Sequence, residues 1–241
     1  MANKLGLIAV VGLTVSVISL ASAAVIGSYE LGDKAFNFSD LNFSDKPRCR
    51  FDRTAETATR EMIWEGNDHA VFKLPAQVHY RPGTNERLVV SGNADLLTHI
   101  RFQDGALVLD CNLRSGSDGL KITLPGRAFK SFAIHGAGRL TLDDINQKEL
   151  SIFMPGASEV EASGKADDVK VSIVGAGEAR MERLVARKMD VSITGAGDAE
   201  ISPQEAAKVS IIGAGSVRLA TEPKTLETHI IGAGEIERPR Q

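Results

Sequence analysis

The chain has 241 residues, with 28 Lys plus Arg against 31 Asp plus Glu, a net charge of −3. A nucleic-acid binder carries a basic excess, so this balance speaks against that class. Hydrophobic residues make up 43% of the sequence, enough for one large core or two small ones.

At the N-terminus, Lys4 precedes an apolar run over residues 5–20, and Ala21-Ser22-Ala23 comes next with the small-x-small pattern of a signal-peptidase site. Residues 1–23 are therefore expected to be a signal peptide cut after Ala23, giving a periplasmic, cell-surface or secreted protein. The alternative is an uncleaved anchor, because apolar character continues to Gly27 and a run of that length can span a bilayer. Small residues dilute the run, which favours cleavage. No cysteine directly follows the run for lipid attachment, and no twin arginine precedes it.

Residues 24–69 read as an N-terminal lead of unclear structure. They include the doublet Asn37-Phe38-Ser39-Asp40 and Asn42-Phe43-Ser44-Asp45. Cys49 and Cys111 are the two cysteines. In an oxidising compartment they are expected to pair and tie the lead to the β-prone region that begins at residue 70.

Residues 70–74, 78–81, 87–90, 97–102, 106–113 and 120–124 are short β-prone runs bounded by Gly, Pro, Asn or Asp. Residues 91–93 and 103–105 read as turns between them. These runs are expected to open a solenoid with less regular coils; a separate small sheet domain is the alternative.

A repeat then takes over. Gly136-Ala137-Gly138, Gly175-Ala176-Gly177, Gly195-Ala196-Gly197, Gly213-Ala214-Gly215 and Gly232-Ala233-Gly234 recur, and Gly156-Ala157-Ser158 fills the gap as a degenerate copy. The first glycines are spaced by 20, 19, 20, 18 and 19 residues, the signature of a solenoid with tolerant loops. Two positions before each corner stand Ile134, Met154, Ile173, Ile193, Ile211 and Ile230. Four positions after its first glycine stand Leu140, Val160, Ala179, Ala199, Val217 and Ile236. Polar residues alternate with these, so a short strand enters and another leaves each corner. A looser return of variable length closes the coil.

The fold class is thus all-β, a single-stranded parallel β-solenoid over 70–241 with coils of about 19–20 residues, regular over 130–238. Glycine supplies backbone angles that other residues reach only with strain. The middle alanines are expected to stack at the corner, where a larger side chain would wedge the coils apart. Arg238 falls in a slot that is apolar in earlier coils, and is expected to act as a polar cap.

The residues from about 71 to 237 resemble the putative auto-transporter adhesin, head GIN domain family of bacterial exported proteins. The resemblance rests on Arg87-Leu88-Val89-Val90-Ser91-Gly92-Asn93, Asp104-Gly105-Ala106-Leu107, Ile122-Thr123-Leu124-Pro125 and the serial corners. The family corner is often Gly-Ser-Gly. The resemblance implies a right-handed parallel β-helix and a Gram-negative-type envelope location. The family has no assigned catalytic residues, so none is carried over.

Parallel β-helices also host polysaccharide hydrolases and lyases, whose chemistry needs clustered carboxylates. Asp143-Asp144 and Asp167-Asp168 are the candidates, but they lie at different distances after their corners. The histidines are His69, His79, His99, His135 and His229, and those in the repeats do not stack. Outward acids (Glu159, Glu161, Glu178, Asp198, Glu200, Glu235, Glu237) interleave with Arg139, Arg180 and Arg218, which reads as a solvated face rather than a Ca²⁺ site. All aromatic residues lie at or before Phe153, so the repeats offer no sugar-stacking platform. Trp64, Phe72 and Tyr80 are expected to fill the N-terminal core.

The sequence therefore points to an exported, non-enzymatic binding or scaffold module of the bacterial envelope, adhesin-like. Its partner would be an envelope polymer or protein. No nucleic acid, cofactor or metal is expected, and membrane contact would come only through an uncleaved N-terminal segment. Two alternatives stand beside it: a carbohydrate-active β-helix enzyme, and a structural subunit stacking end to end. Charged residues at the C-terminal end speak against the second.

Overall fold

A computed structural model describes residues 47–52, 54–113 and 119–239. The expected signal peptide, its cleavage point and the Asn-Phe-Ser-Asp doublet lie outside the described residues. The elements, in chain order, are β1 (Thr57–Ile63), β2 (His69–Lys73), β3 (Gln77–Tyr80), β4 (Arg87–Asn93), a single helical turn α1 (Ala94–Leu97), β5 (Ile100–Gln103), β6 (Ala106–Leu109), β7 (Lys121–Thr123) and β8 (Ser131–Ile134). The regular region comes after them as β9 (Arg139–Gly156), β10 (Glu159–Gly175), β11 (Glu178–Gly195), β12 (Asp198–Gly213), β13 (Ser216–Leu219), β14 (Thr225–Gly232) and β15 (Glu235–Glu237). No helix among the described residues is long and apolar enough to cross a membrane.

The regular half is a parallel β-solenoid of stacked coils. Strands β9, β10, β11 and β12 pair in parallel, each first glycine opposite the next: Gly156, Gly175, Gly195 and Gly213 share one register row. Inward residues before the corner (Phe132, Ile152, Val171, Val191, Val209, and Ile134, Met154, Ile173, Ile193, Ile211) are all buried. So are Leu140, Val160, Ala179, Ala199 and Val217 after it. Each coil has one apolar side too small to form a core alone, and stacking joins these sides into a continuous one.

The returns are not loose. Strands β9 to β12 run through them and break only at the corners. Leu150, Val169, Met189 and Ala207 form a further buried inward row there. Bulges absorb the unequal coil lengths: the register shifts between Ala162 and Gly164 against β9, and between Met181 and Val185 against β12. Because these bulges interrupt the period-two pattern, the strand character of the returns is hidden in the sequence.

At the corners the backbone ladder continues without a gap. Ala196 N–H donates to the Gly175 carbonyl at 2.8 Å, Ala214 N–H to Gly195 at 2.8 Å, and Asp198 N–H to the Gly177 carbonyl at 3.0 Å. Gly195 has φ +128°, and a side chain there would place its first carbon 2.3 Å from the Gly175 carbonyl oxygen. The glycines thus permit coil-to-coil contact. The six alanines do not set the spacing: Ala137, Ala157, Ala176, Ala196, Ala214 and Ala233 are all exposed. Their methyl groups face solvent, which explains how a serine can occupy the same place in related corners.

The degenerate corner carries its own defect. Ser158 stands at the third corner position, where the other corners have their second glycine, and it is buried with a hydroxyl that has no hydrogen-bond partner. A buried unsatisfied hydroxyl costs about 1–3 kcal/mol. Ser158→Ala keeps the same Cβ and removes the orphan, so the midpoint of denaturant unfolding should rise, by about 1 kcal/mol of stability. A lower midpoint would show that the hydroxyl is satisfied in solution.

The residues before the repeat continue the same stack, but out of chain order. The β2–β3 coil lies directly against the β8–β9 coil, through β2–β8 and β3–β9 parallel pairs. The later β6–β7 coil packs outside it, through β2–β6 and β3–β7. The N-terminal end is then closed by antiparallel strands, β5 on β6 and β1 on β4, with β4 antiparallel to β7. Residues 91–93, expected to turn, are the end of β4: Gly92 is packed against Leu120, and a side chain there would come within 2.8 Å of it. Residues 97–102, expected as strand, begin with the end of α1, which Asn93 caps by accepting from the Asp95 and Leu96 backbone N–H groups.

Cys49 and Cys111 form a disulfide. Beside it Cys49 N–H donates to Asn112 O at 3.0 Å and Asn112 N–H donates to Pro47 O at 2.8 Å. Arg238, expected in an inward slot, is exposed and reaches Glu222 at 3.4 Å. Ile230, on the inward row of the last coil, is 41% exposed.

Candidate functional surface

Two outward strips flank each corner. The strip after the corner is charged. Arg139 donates to Glu159 through Nη2 at 2.6 Å and Nε at 3.0 Å. Arg180 bonds Glu159 on one neighbouring coil, Glu161 at 3.3 Å and Glu178 at 2.8 Å. Arg218 links Glu200 and, at 2.9 Å, Glu237. Hydrogen bonding to Glu178, then the charge of Glu159, holds Arg180 further on the protonated side than usual. A shallow depression of about 210 Å³ lies among Glu178, Asp198, Glu200, Ser216, Arg218 and Glu237. Its arginine already answers two of its carboxylates, as the interleaved sequence led one to expect. Such exposed pairs contribute little singly, because water screens them and two long side chains must be ordered.

Before the corner, the two outward rows nearest it are uncharged over the central coils, and a charged row, Lys170, Asp190 and Lys208, lies beyond them. Phe153, Ser172, Ser192 and Ser210 occupy one register row, and Pro155, Val174, Thr194, Ile212 and Ile231 the next. These side chains are half-buried except Ile231, which is 55% exposed. The hydroxyl row and the aliphatic row run side by side along stacked strands about 4.8 Å apart, so five coils make a strip of roughly 20 Å. The sheet fixes every side chain on it.

At its N-terminal end the strip meets His135, whose ring packs edge-on against Phe153 with centroids 6.1 Å apart. Burial, and then the charge of Lys73, pull the imidazole down from 6.5 to about 4. The folded state thus keeps the ring neutral where the unfolded chain protonates it. The unfolded state binds the extra proton between pH 6.5 and about 4, so stability falls as pH drops through that window. His135→Gln should flatten this part of the pH–stability curve; an unchanged slope would mean that His135 titrates normally.

The candidate catalytic acids do not come together. Asp143 accepts from Ser163 at 3.2 Å and meets His79 Nε2 at 2.9 Å, while Asp144 pairs with Arg81 at 3.1 Å. The His79 hydrogen bond leads the causes that hold the Asp143 carboxyl below its ordinary range. Asp168 lies further along the return, opposite Glu149 and Lys188, and binds Arg187 at 3.0 Å. Asp143, Asp144 and Asp168 are each engaged by a basic side chain. His79–Asp143–Ser163 is the grouping that sequence reasoning missed. Its carboxylate sits between histidine and serine, so the histidine is not in place to take the serine proton.

His99, Asp110 and Cys111 also cluster, with potential ligand atoms within 4.8 Å of one another. The Cys111 sulfur is committed to the disulfide, which leaves two donors. Trp64, Phe72 and Tyr80 are buried as expected, in an aromatic core with Phe129 and Phe132. The Tyr80 hydroxyl donates to Arg127 O at 3.0 Å.

The architecture defines a class: a parallel β-solenoid that presents flat, regularly spaced side-chain strips. The model of the putative auto-transporter adhesin, head GIN domain family matches residues 71–223, and the chain belongs to that family. A crystal structure of a putative adhesin from Bacteroides fragilis shares the fold with TM-score 0.62 at 17% identity, covering 76% of this chain and 97% of that one. A putative adhesin from Parabacteroides merdae matches at 16% identity and TM-score 0.43, covering 78% and 98%. A putative lipid binding protein from Parabacteroides distasonis matches at 16% identity and TM-score 0.45, also over 78% and 98%. No curated protein matches the chain.

Proposed function

We propose that this protein is an exported, non-enzymatic binding module of the bacterial cell envelope, adhesin-like, which grips an envelope polymer or protein along its uncharged strip. The observation that carries this reading is the strip itself. Hydroxyl and aliphatic side chains stand in two register rows, half-buried and fixed by the sheet. A partner laid there meets pre-ordered side chains and displaces no ion pair, so little of the contact energy is lost to ordering. The charged strip beside it is occupied with its own arginine–carboxylate pairs and serves solubility.

Family membership and the likeness to a putative adhesin support a binding role, and the sequence pattern at residues 1–23 supports export. The protein purified after export, incubated with fractionated envelope, polysaccharides and a glycan panel, should bind one class saturably. Ser192→Lys with Thr194→Lys should weaken that binding about tenfold or more, while Arg180→Ala leaves it within about twofold. The reading fails if no fraction binds, or if the double substitution has no effect. Turnover of a polysaccharide, lost on Asp143→Asn, would replace it with an enzyme.

A further inference from the structure

The two ends of the solenoid are finished differently. At the N-terminal end the outer strands are short or carry adjacent charges: β5 is four residues long, and β1 holds Arg60 next to Glu61. At the other end β14 pairs only with β12, and no described strand covers its outer edge. It is eight residues long, Thr225-Leu226-Glu227-Thr228-His229-Ile230-Ile231-Gly232, with no proline, no lysine and no register shift. Those are the features that ordinarily blunt a free edge. Ile230 and Ile231 are 41% and 55% exposed, and Leu226 is half-buried. Ile230 continues the inward row of Ile193 and Ile211, so the core itself lies open here.

We infer that a second copy of this chain covers this end, with β14 pairing antiparallel to its own counterpart about a two-fold axis through Thr228. The strand sequence is self-complementary in that register. Thr228 faces Thr228 of the second copy, and Leu226 faces Ile230, all on the inward side. Glu227 faces His229, and Thr225 faces Ile231, on the outward side. Shifting the axis to Glu227 would set Glu227 against itself, and shifting it to His229 would oppose two histidines. Like groups directly opposed destabilise a sheet, whereas aliphatic, Thr–Thr and opposite-charge pairs stabilise it. An axis normal to the sheet keeps both inward faces on the same side, so two open cores close on each other through one isologous contact.

The test is sedimentation velocity of the purified chain over a wide concentration range, together with site-specific cross-linking. No described cysteine is free, so an introduced thiol reports cleanly. The wild type should form a dimer, and Ile230→Lys should weaken it at least about tenfold with unchanged circular dichroism. Thr228→Cys should form a covalent dimer under mild oxidation. Thr225→Cys, about six strand residues from its own mate in this register, should not. A wild type that stays monomeric at every concentration overturns the inference, even if it captures another protein. So does a dimer in which Thr225→Cys cross-links as readily as Thr228→Cys. Neither result depends on the envelope-binding strip, so failure here leaves that reading standing.

Discussion

Gly195→Val should lower the thermal midpoint by roughly 10 °C. Two costs add. Gly195 sits at φ +128°, a region that side-chain-bearing residues rarely enter, and such strain costs about 1–3 kcal/mol. The new Cβ would also lie 2.3 Å from the Gly175 carbonyl oxygen and 3.1 Å from its carbon, both backbone atoms of the coil beneath. Backbone cannot rotate away, so the coils must separate, and the Ala196-to-Gly175 hydrogen bond at 2.8 Å opens with them. Together these cost about 3–5 kcal/mol. Gly136→Ala is the control. Gly136 has φ +83° but nothing within 4 Å of the added carbon, so it incurs only the conformational cost, about 1–2 kcal/mol. Ala196→Ser, on the exposed position between the glycines, should stay within about 0.5 kcal/mol of wild type. Calorimetry on the three variants decides the matter. Equal losses at Gly136 and Gly195 would mean that conformation, and not the stacked neighbour, makes these glycines necessary.

This ordering of costs also marks where sequence reasoning succeeds. The corner and the inward rows are legible because each repeats at fixed offsets from Gly136, Gly156, Gly175, Gly195, Gly213 and Gly232. The charged strip is legible for the same reason: Glu161, Arg180 and Glu200 each stand five residues after their first glycine and become neighbours once coils stack. What the offsets do not carry is direction at the corner itself. A small residue looks the same in sequence whether it is small because a neighbour presses on it, as at Gly195, or merely happens to be small while facing water, as at Ala196.

The N-terminal third is less legible because its pairing is not ordered along the chain. Strand β2 is held between β6 and β8, both more than thirty residues later in the chain, and period alone gives no hint of that insertion. The His79–Asp143 contact depends on it, since it arises only because β3 lies directly on β9. Strand β1 is invisible for another reason. Thr57–Ile63 buries no residue fully, so its sequence shows no apolar alternation, and β4 alone dictates its conformation through antiparallel pairing.

Removing the disulfide should be nearly as damaging as Gly195→Val, and for the opposite physical reason. The bond joins Cys49 to Cys111, closing a loop of 62 residues. Loop-closure entropy for that length gives about 4 kcal/mol, acting on the unfolded chain rather than through native contacts. The same loop contains the out-of-order insertion: β2 and β3 lie inside it, and β7 and β8 outside. The cross-link therefore shortens the search for the pairing that chain order does not favour. Its local contacts also hold the end cap. Residues 47–49 pair with Asn112, the Asp52 carbonyl accepts from Asn93 Nδ2 at 2.6 Å, and the Asp52 N–H donates to Asp95 at 3.0 Å. Cys49→Ser with Cys111→Ser should lower the denaturant midpoint by the equivalent of about 3–4 kcal/mol and slow refolding, while the regular coils keep their far-ultraviolet signature below the transition. Hydrogen exchange would separate a global effect from a local one. If only residues 47–52 and β1 lose protection and the midpoint holds, the disulfide fastens a cap and nothing more. If the midpoint falls, the cross-link stabilises the whole fold by restricting the unfolded chain.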